Sequence, residues 1–233
     1  MAASEAPAPT GPLVHRAVHH GALLILAGSL IFIAGMIVTQ LGWTTPYSLL
    51  HNYISDLGAV HCMTWSHGYV CSPWHDVFNA TIVILGLCVI FGVMLIYSAF
   101  PPRGTRTVGL GLLALAGAGS MGVGFFPEDV NLTAHTISAA IAFIAGNLGL
   151  IVLSLAMFRD TRWDGYRSFT LFLGLIGLVA LVLFELKIWG ALGVGGMERL
   201  IVAPLLLWMI VASTHLLRVP AYAPRILPRS PSA

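Results

Sequence analysis

Six long apolar stretches, separated by shorter polar segments, dominate this 233-residue chain. A helix needs about 20 apolar residues to cross a hydrocarbon core roughly 30 Å thick. Only 9% of the residues are charged and 58% are hydrophobic, whereas about a quarter of a soluble domain is charged. We therefore expect an all-α polytopic membrane protein whose partner is the lipid bilayer. The prediction is a bundle of six transmembrane helices, which cover Gly21–Leu41, Val77–Phe100, Val108–Phe126, Thr133–Phe158, Phe169–Phe184 and Leu200–Leu217.

The basic residues predict how the bundle is oriented. Lys187 and Arg199 lie on one side of the predicted spans, and nine arginines lie on the other: Arg16, Arg103, Arg106, Arg159, Arg162, Arg167, Arg218, Arg225 and Arg229. Because Lys and Arg concentrate in cytoplasmic loops, we expect both termini in the cytoplasm and the cell membrane as the location.

Composition divides the chain into three parts. Residues 1–18 begin with an Ala- and Pro-rich segment and predict a disordered cytoplasmic tail. Residues 19–217 form the transmembrane domain, and residues 218–233 form a cytoplasmic C-terminal tail. The net charge of +2 is too small for a nucleic-acid partner, and nothing in the sequence indicates an oligomeric state.

The long first outer loop, Gly42–Ser72, contains two of the three cysteines, Cys62 and Cys71. An outer compartment is oxidising, which favours a disulfide between them. Two free thiols or a metal-binding pair are the alternatives.

The first half of that loop predicts an amphipathic helix at the membrane interface. Thr45 is suited to cap it, Pro46 to begin it and Gly58 to end it in the left-handed conformation. Its apolar residues fall at helical spacing, as Tyr47, Leu50, Ile54 and Leu57. In the same way, Ser72 is suited to cap the second span and Asn131 the fourth.

Polar and ionisable residues gather at the outer ends of four segments, where they are costly unless they pair or reach water. We expect a polar pocket there. The candidate catalytic residues are Asp56, Glu128, His135, Glu198 and Arg199, and the candidate substrate-binding residues are Asn52, Ser55, Asn79 and Asp129.

Several short motifs resemble a known family. They are Ile54-Ser55-Asp56-Leu57-Gly58, Phe78-Asn79, Gly122-x-Gly124-x-Phe126-Pro127, the later His135, and Glu198-Arg199. Their order and placement resemble the prokaryotic integral membrane family catalogued as domain of unknown function 998, over roughly residues 20–217. The resemblance implies the architecture and the candidate positions, and it implies no activity.

The pocket favours a lipid-directed hydrolase acting on a lipid or lipid-linked substrate. Zinc is the cofactor that these residue types suit. His75 and His135, with either Asp76 or Asp56, would supply three ligands and leave one position for water. Glu128 or Glu198 would act as the general base. Alternatively, each histidine is a neutral imidazole bonded to a neighbouring carboxylate or backbone carbonyl. His61 and His67 are expected to be solvated loop residues without a role.

Two other functions fit the same sequence. One is a non-catalytic envelope binding or assembly protein, in which a Glu198–Arg199 salt bridge fixes the sixth helix. The other is a small-solute transporter, although few polar residues lie at mid-span.

Overall fold

A computed structural model describes residues 12–158 and 160–218 of the chain. Six helices in this part are long and apolar enough to cross a membrane: α1 Pro12–Leu41, α2 His75–Leu95, α3 Gly104–Phe125, α4 Leu132–Ala156, α5 Tyr166–Glu185 and α6 Gly193–Arg218. The predicted count of six is confirmed, and the protein is a multi-pass membrane protein. Of the predicted tails, residues 1–11 and 219–233 lie outside the described residues, whereas residues 12–18 belong to α1.

The helices form a ring. Each packs against the helices before and after it in the chain, and α6 closes the ring against α1. Small residues permit close packing at several of these contacts. At the α2–α3 contact, for example, a Cβ added to Gly86 would overlap the Gly117 carbonyl oxygen.

The connections place different residue types at the two ends of the ring. The end formed by residues 42–74, 126–131 and 186–192 contains the candidate site, and we call it the carboxylate end. At the opposite end, Trp163 is 1% exposed and stacks on Phe100 with ring centroids 4.6 Å apart. This aromatic pair closes the bundle on that side.

The loop between α1 and α2 is folded, but it is not the amphipathic helix predicted for Pro46–Gly58. Its helical content is a single 3₁₀ turn, Ser55–Gly58, and Gly58 does not have a positive φ. Leu49 and Leu50 are about half exposed, at 52% and 47%. The prediction failed because several backbone groups of the loop bond to side chains and to α6 instead of to one another.

The second half of the loop is a β-hairpin of two short strands, β1 Met63–Trp65 and β2 Gly68–Val70, paired antiparallel with Met63 opposite Val70. The predicted disulfide, Cys62–Cys71, is confirmed and joins the residues just outside the strands. Ser72 does not cap α2, since its hydroxyl donates to the Leu57 carbonyl. Asn131 does cap α4, accepting the Ala134 N–H at 3.1 Å.

Candidate active site at the carboxylate end

The first two turns of α6 hold the loop in place. The Gly195 N–H donates to the Leu50 carbonyl at 2.9 Å. The Arg199 guanidinium donates to the carbonyl oxygens of Leu49 and Asn52, at 3.0 and 2.8 Å, and also to the Tyr47 hydroxyl. Arg199 was predicted to be catalytic, but its donors are directed at the protein. We therefore describe it as a positioning residue.

Glu198, the preceding residue, points into the bundle and is 5% exposed. Its carboxylate accepts the Ile54 N–H and, at 3.2 Å, the Ser55 hydroxyl. These bonds fix the backbone just before Asp56. Glu198 and Arg199 thus bond to different parts of the loop and form no salt bridge with each other among the described residues.

Asp56 is fully buried and lies at the centre of the cluster. Its carboxylate accepts the Asn52 side-chain amide at 2.9 Å, the Tyr53 N–H at 3.0 Å and the His67 Nε2 at 3.0 Å. A carboxylate can only accept hydrogen bonds, so the His67 Nε2 must bear a hydrogen. The predicted residues Asn52, Ser55, Asp56 and Glu198 are therefore brought together.

Glu128, from the turn between α3 and α4, lies beside Asp56. Two carboxyl groups this close repel each other when both are ionised, so one of them tends to hold a proton. Because the hydrogen-bond partners of Asp56 all donate to it, we place that proton on Glu128. Burial, together with the charge of Asp56, raises the pKa of Glu128 to about 9. Its Oε1 is buried and has no hydrogen-bond partner in the described part of the chain.

His67 lies at the tip of the disulfide-closed hairpin, and the expectation that it is solvated was wrong. Its side chain is 15% exposed. The Tyr53 ring packs edge-on against the imidazole at 4.8 Å, and the Trp65 ring stacks on it at 6.3 Å. Its Nδ1 makes no hydrogen bond to any described residue. His67 and Asp56 therefore form a dyad in which the carboxylate orients the imidazole.

Asp129 and Asn79 form hydrogen bonds with the loop at the edge of the site. Asp129 accepts the backbone N–H groups of Val60 and His61, at 3.1 and 2.7 Å, and the His61 ring at 2.9 Å. Burial alone would raise the pKa of Asp129, but these donors outweigh it and hold the pKa below its usual value. The Asn79 amide donates to the Gly58 carbonyl at 3.0 Å. Both residues hold the loop, and substrate binding by them stays a prediction.

The histidines predicted as metal ligands have other partners. The Nδ1 of His75 donates to the Ser72 carbonyl, and that of His135 donates to the Phe126 carbonyl, each at 2.9 Å. Asp76 approaches His75 at 3.4 Å, but its side chain is 96% exposed. Within residues 12–158 and 160–218, no three His, Cys, Asp or Glu side chains are placed to hold a metal ion. The structure therefore does not assemble the predicted zinc site.

Comparison with known proteins gives one family. The family described as "Protein of unknown function (DUF998)" matches residues 26–215. The chain belongs to the DUF998 family. That match includes every candidate site residue named above, and it agrees with the resemblance found in the sequence motifs. No curated protein and no solved structure matches the chain.

Proposed function

We propose that this DUF998 protein is a lipid-directed hydrolase of the cell membrane, with the carboxylate end on the non-cytoplasmic face. The observation that carries the proposal is the Asp56–His67 dyad, in which a buried carboxylate orients an imidazole whose second nitrogen is unbonded within the described residues. A dyad of this kind is the acid–base part of a hydrolytic triad.

The dyad can activate water directly. The Nδ1 of His67 takes a proton from a water molecule as the water oxygen attacks the carbonyl carbon of an ester or amide. When the tetrahedral intermediate collapses, the bond to the leaving group breaks and the same nitrogen returns the proton to that group. Asp56 stabilises the transient imidazolium. Because Glu128 is protonated beside Asp56, only one negative charge occupies this pair while His67 is cationic.

The position of the site supports a lipid substrate. Glu198 and Ser55 link the site to an internal cavity whose other lining residues are mostly apolar. Such a lining suits a hydrocarbon chain better than a polar solute. The arginines at the other end of the ring, among them Arg103, Arg106 and Arg167, support the proposed orientation.

The test is hydrolysis of ester and amide lipids by the purified protein in nanodiscs, with products identified by mass spectrometry. His67→Gln retains a side-chain N–H for Asp56 and removes the basic nitrogen. We expect it to lower kcat by about 10²- to 10⁴-fold, the usual contribution of a general base. His61→Gln is the matched control, since His61 lies on the same loop and also bonds to an aspartate, but its side chain is 69% exposed.

The outcomes separate clearly. Activity that falls in His67→Gln and persists in His61→Gln supports the proposal. Failure of the folded wild-type protein to hydrolyse any ester or amide lipid would refute it, and so would full activity in His67→Gln.

A further inference from the structure

The centre of the helix ring contains an elongated cavity. Its walls come from α1, α2, α3, α4 and α6. On α2 the lining extends from Phe78 to Val93, and 15 helical steps of 1.5 Å correspond to about 22 Å along the axis. The cavity therefore extends across most of a hydrocarbon core about 30 Å thick.

The cavity is narrow. The volume open to the centre of a water molecule is about 70 Å³. Distributed over the length of the lining, this space admits one chain of atoms at a time. Two acyl chains side by side would require the helices to separate.

The lining has one polar end. Ser55 and Glu198 contribute to the wall at the carboxylate end, beside the dyad, and most of the other lining side chains are apolar. The polar donors deeper in the wall are bonded within the protein: the Ser120 hydroxyl donates to Ala116 O, and the Asn147 amide NH₂ donates to the carbonyls of Phe143 and Ile201. The Asn147 Oδ1 has no hydrogen-bond partner among the described residues, but it lies against Gly177 of α5, which does not line the cavity. A ligand in this cavity would thus be apolar along its length and polar only at the end nearest Asp56.

We infer that the cavity binds one unbranched acyl chain of a membrane lipid, with the polar end of the chain beside Ser55 and Glu198. The identification of that chain as part of the substrate rests on the proposed function, whereas binding itself does not. Moving the chain from lipid into the protein brings little hydrophobic gain, since lipid tails are equally apolar. Selectivity then comes from the width of the cavity and from its polar end.

The experiment uses a lysophospholipid with a photoreactive diazirine at mid-chain and the full-length protein in nanodiscs. After irradiation, labelled peptides are located by mass spectrometry. We expect labelling at lining residues such as Leu113 and Leu206, which are 2% and 8% exposed. Labelling confined to lipid-facing side chains, such as Phe172 at 63% exposed, would overturn the inference.

A matched pair of variants adds a second test. Ser120→Leu adds bulk to the cavity and removes only a hydrogen bond within its own helix. Ala118→Leu adds the same bulk on the exposed face of α3. We expect labelling of the cavity residues to fall about tenfold or more in Ser120→Leu and to be unchanged in Ala118→Leu. Equal labelling in both variants would contradict the inference.

Two further variants distinguish failure of the acyl-chain site from failure of the proposed hydrolase. Ala139→Leu fills the same cavity from α4 and replaces Ser120→Leu if that variant does not fold. Asp56→Asn removes the charge of the dyad but leaves the cavity wall unchanged, so it should be labelled at the lining residues like the wild type. Cavity labelling without lipid hydrolysis would leave the acyl-chain site in place and refute only the hydrolase.

Discussion

Removal of the Cys62–Cys71 disulfide, with both residues changed to alanine, should release His67 from Asp56. The two cysteines are separated by nine positions, so the bond closes a loop of ten residues. In the chain-entropy model a loop of this size stabilises the closed form by about 3 kcal/mol. A two-stranded hairpin is marginally stable by itself, and each strand here has three residues. The hairpin therefore depends on the crosslink.

That free energy corresponds to an increase of up to about 100-fold in the open fraction of the hairpin. Hydrogen exchange measured by mass spectrometry should show a matching increase for residues 63–70. Exchange in α2 and α6 should be unchanged, because the crosslink touches neither helix interior. Hydrolysis should fall together with the loss of protection, because an open hairpin removes His67 from Asp56.

Cys88→Ala is the control, since Cys88 lies within α2 and forms no disulfide. It should leave exchange in the hairpin at the wild-type rate. If the hairpin of the double variant exchanged as slowly as that of the wild type, docking on Asp56 alone would hold it, and the assigned role of the disulfide would be wrong.

Two further predictions concern the contacts that hold the loop. Gly195→Ala should destabilise the protein by about 1–3 kcal/mol in thermal unfolding, since the added Cβ would overlap the Asn52 carbonyl oxygen. Gly196→Ala is the control and should be tolerated, because the nearest atom to its added Cβ would be 3.3 Å away. Equal melting temperatures for the two variants would contradict this prediction. Asp129→Asn should destabilise the protein by about 1 kcal/mol at pH 7. Folding lowers the pKa of Asp129. The difference in stability between wild type and variant should therefore shrink as the pH falls below about 4, the pKa of an aspartate in the unfolded chain. A deficit that instead grew in acid would refute that assignment.

The sequence was sufficient for the features that depend on local pattern. Apolar length predicted the six helices, and the Asn131 cap and the disulfide followed from residue type and position. Polar residues at the helix ends also identified Asp56, Glu128 and Glu198, because an ionisable group in that position needs a partner wherever the chain folds.

The remaining features depend on tertiary contacts that no local pattern specifies. The residues Pro46–Gly58 have helical spacing, but Gly195 and Arg199 bond to carbonyls that a helix would have used for itself. His67 resembles any loop histidine until the hairpin is folded onto Asp56. The central cavity is likewise a property of the ring and is not visible in any one helix.

Infrared spectroscopy of the purified protein tests the central claim, that Glu128 beside Asp56 holds a proton at pH 7, most directly. A protonated carboxyl group gives a C=O band separate from that of a carboxylate. We expect such a band at pH 7 that persists until the pH rises through about 9, the value to which the pKa of Glu128 is raised. Glu128→Gln should remove this component, and Asp76→Asn, which changes a 96% exposed side chain, should retain it. A Glu128→Gln spectrum identical to that of the wild type at pH 7 would contradict the account.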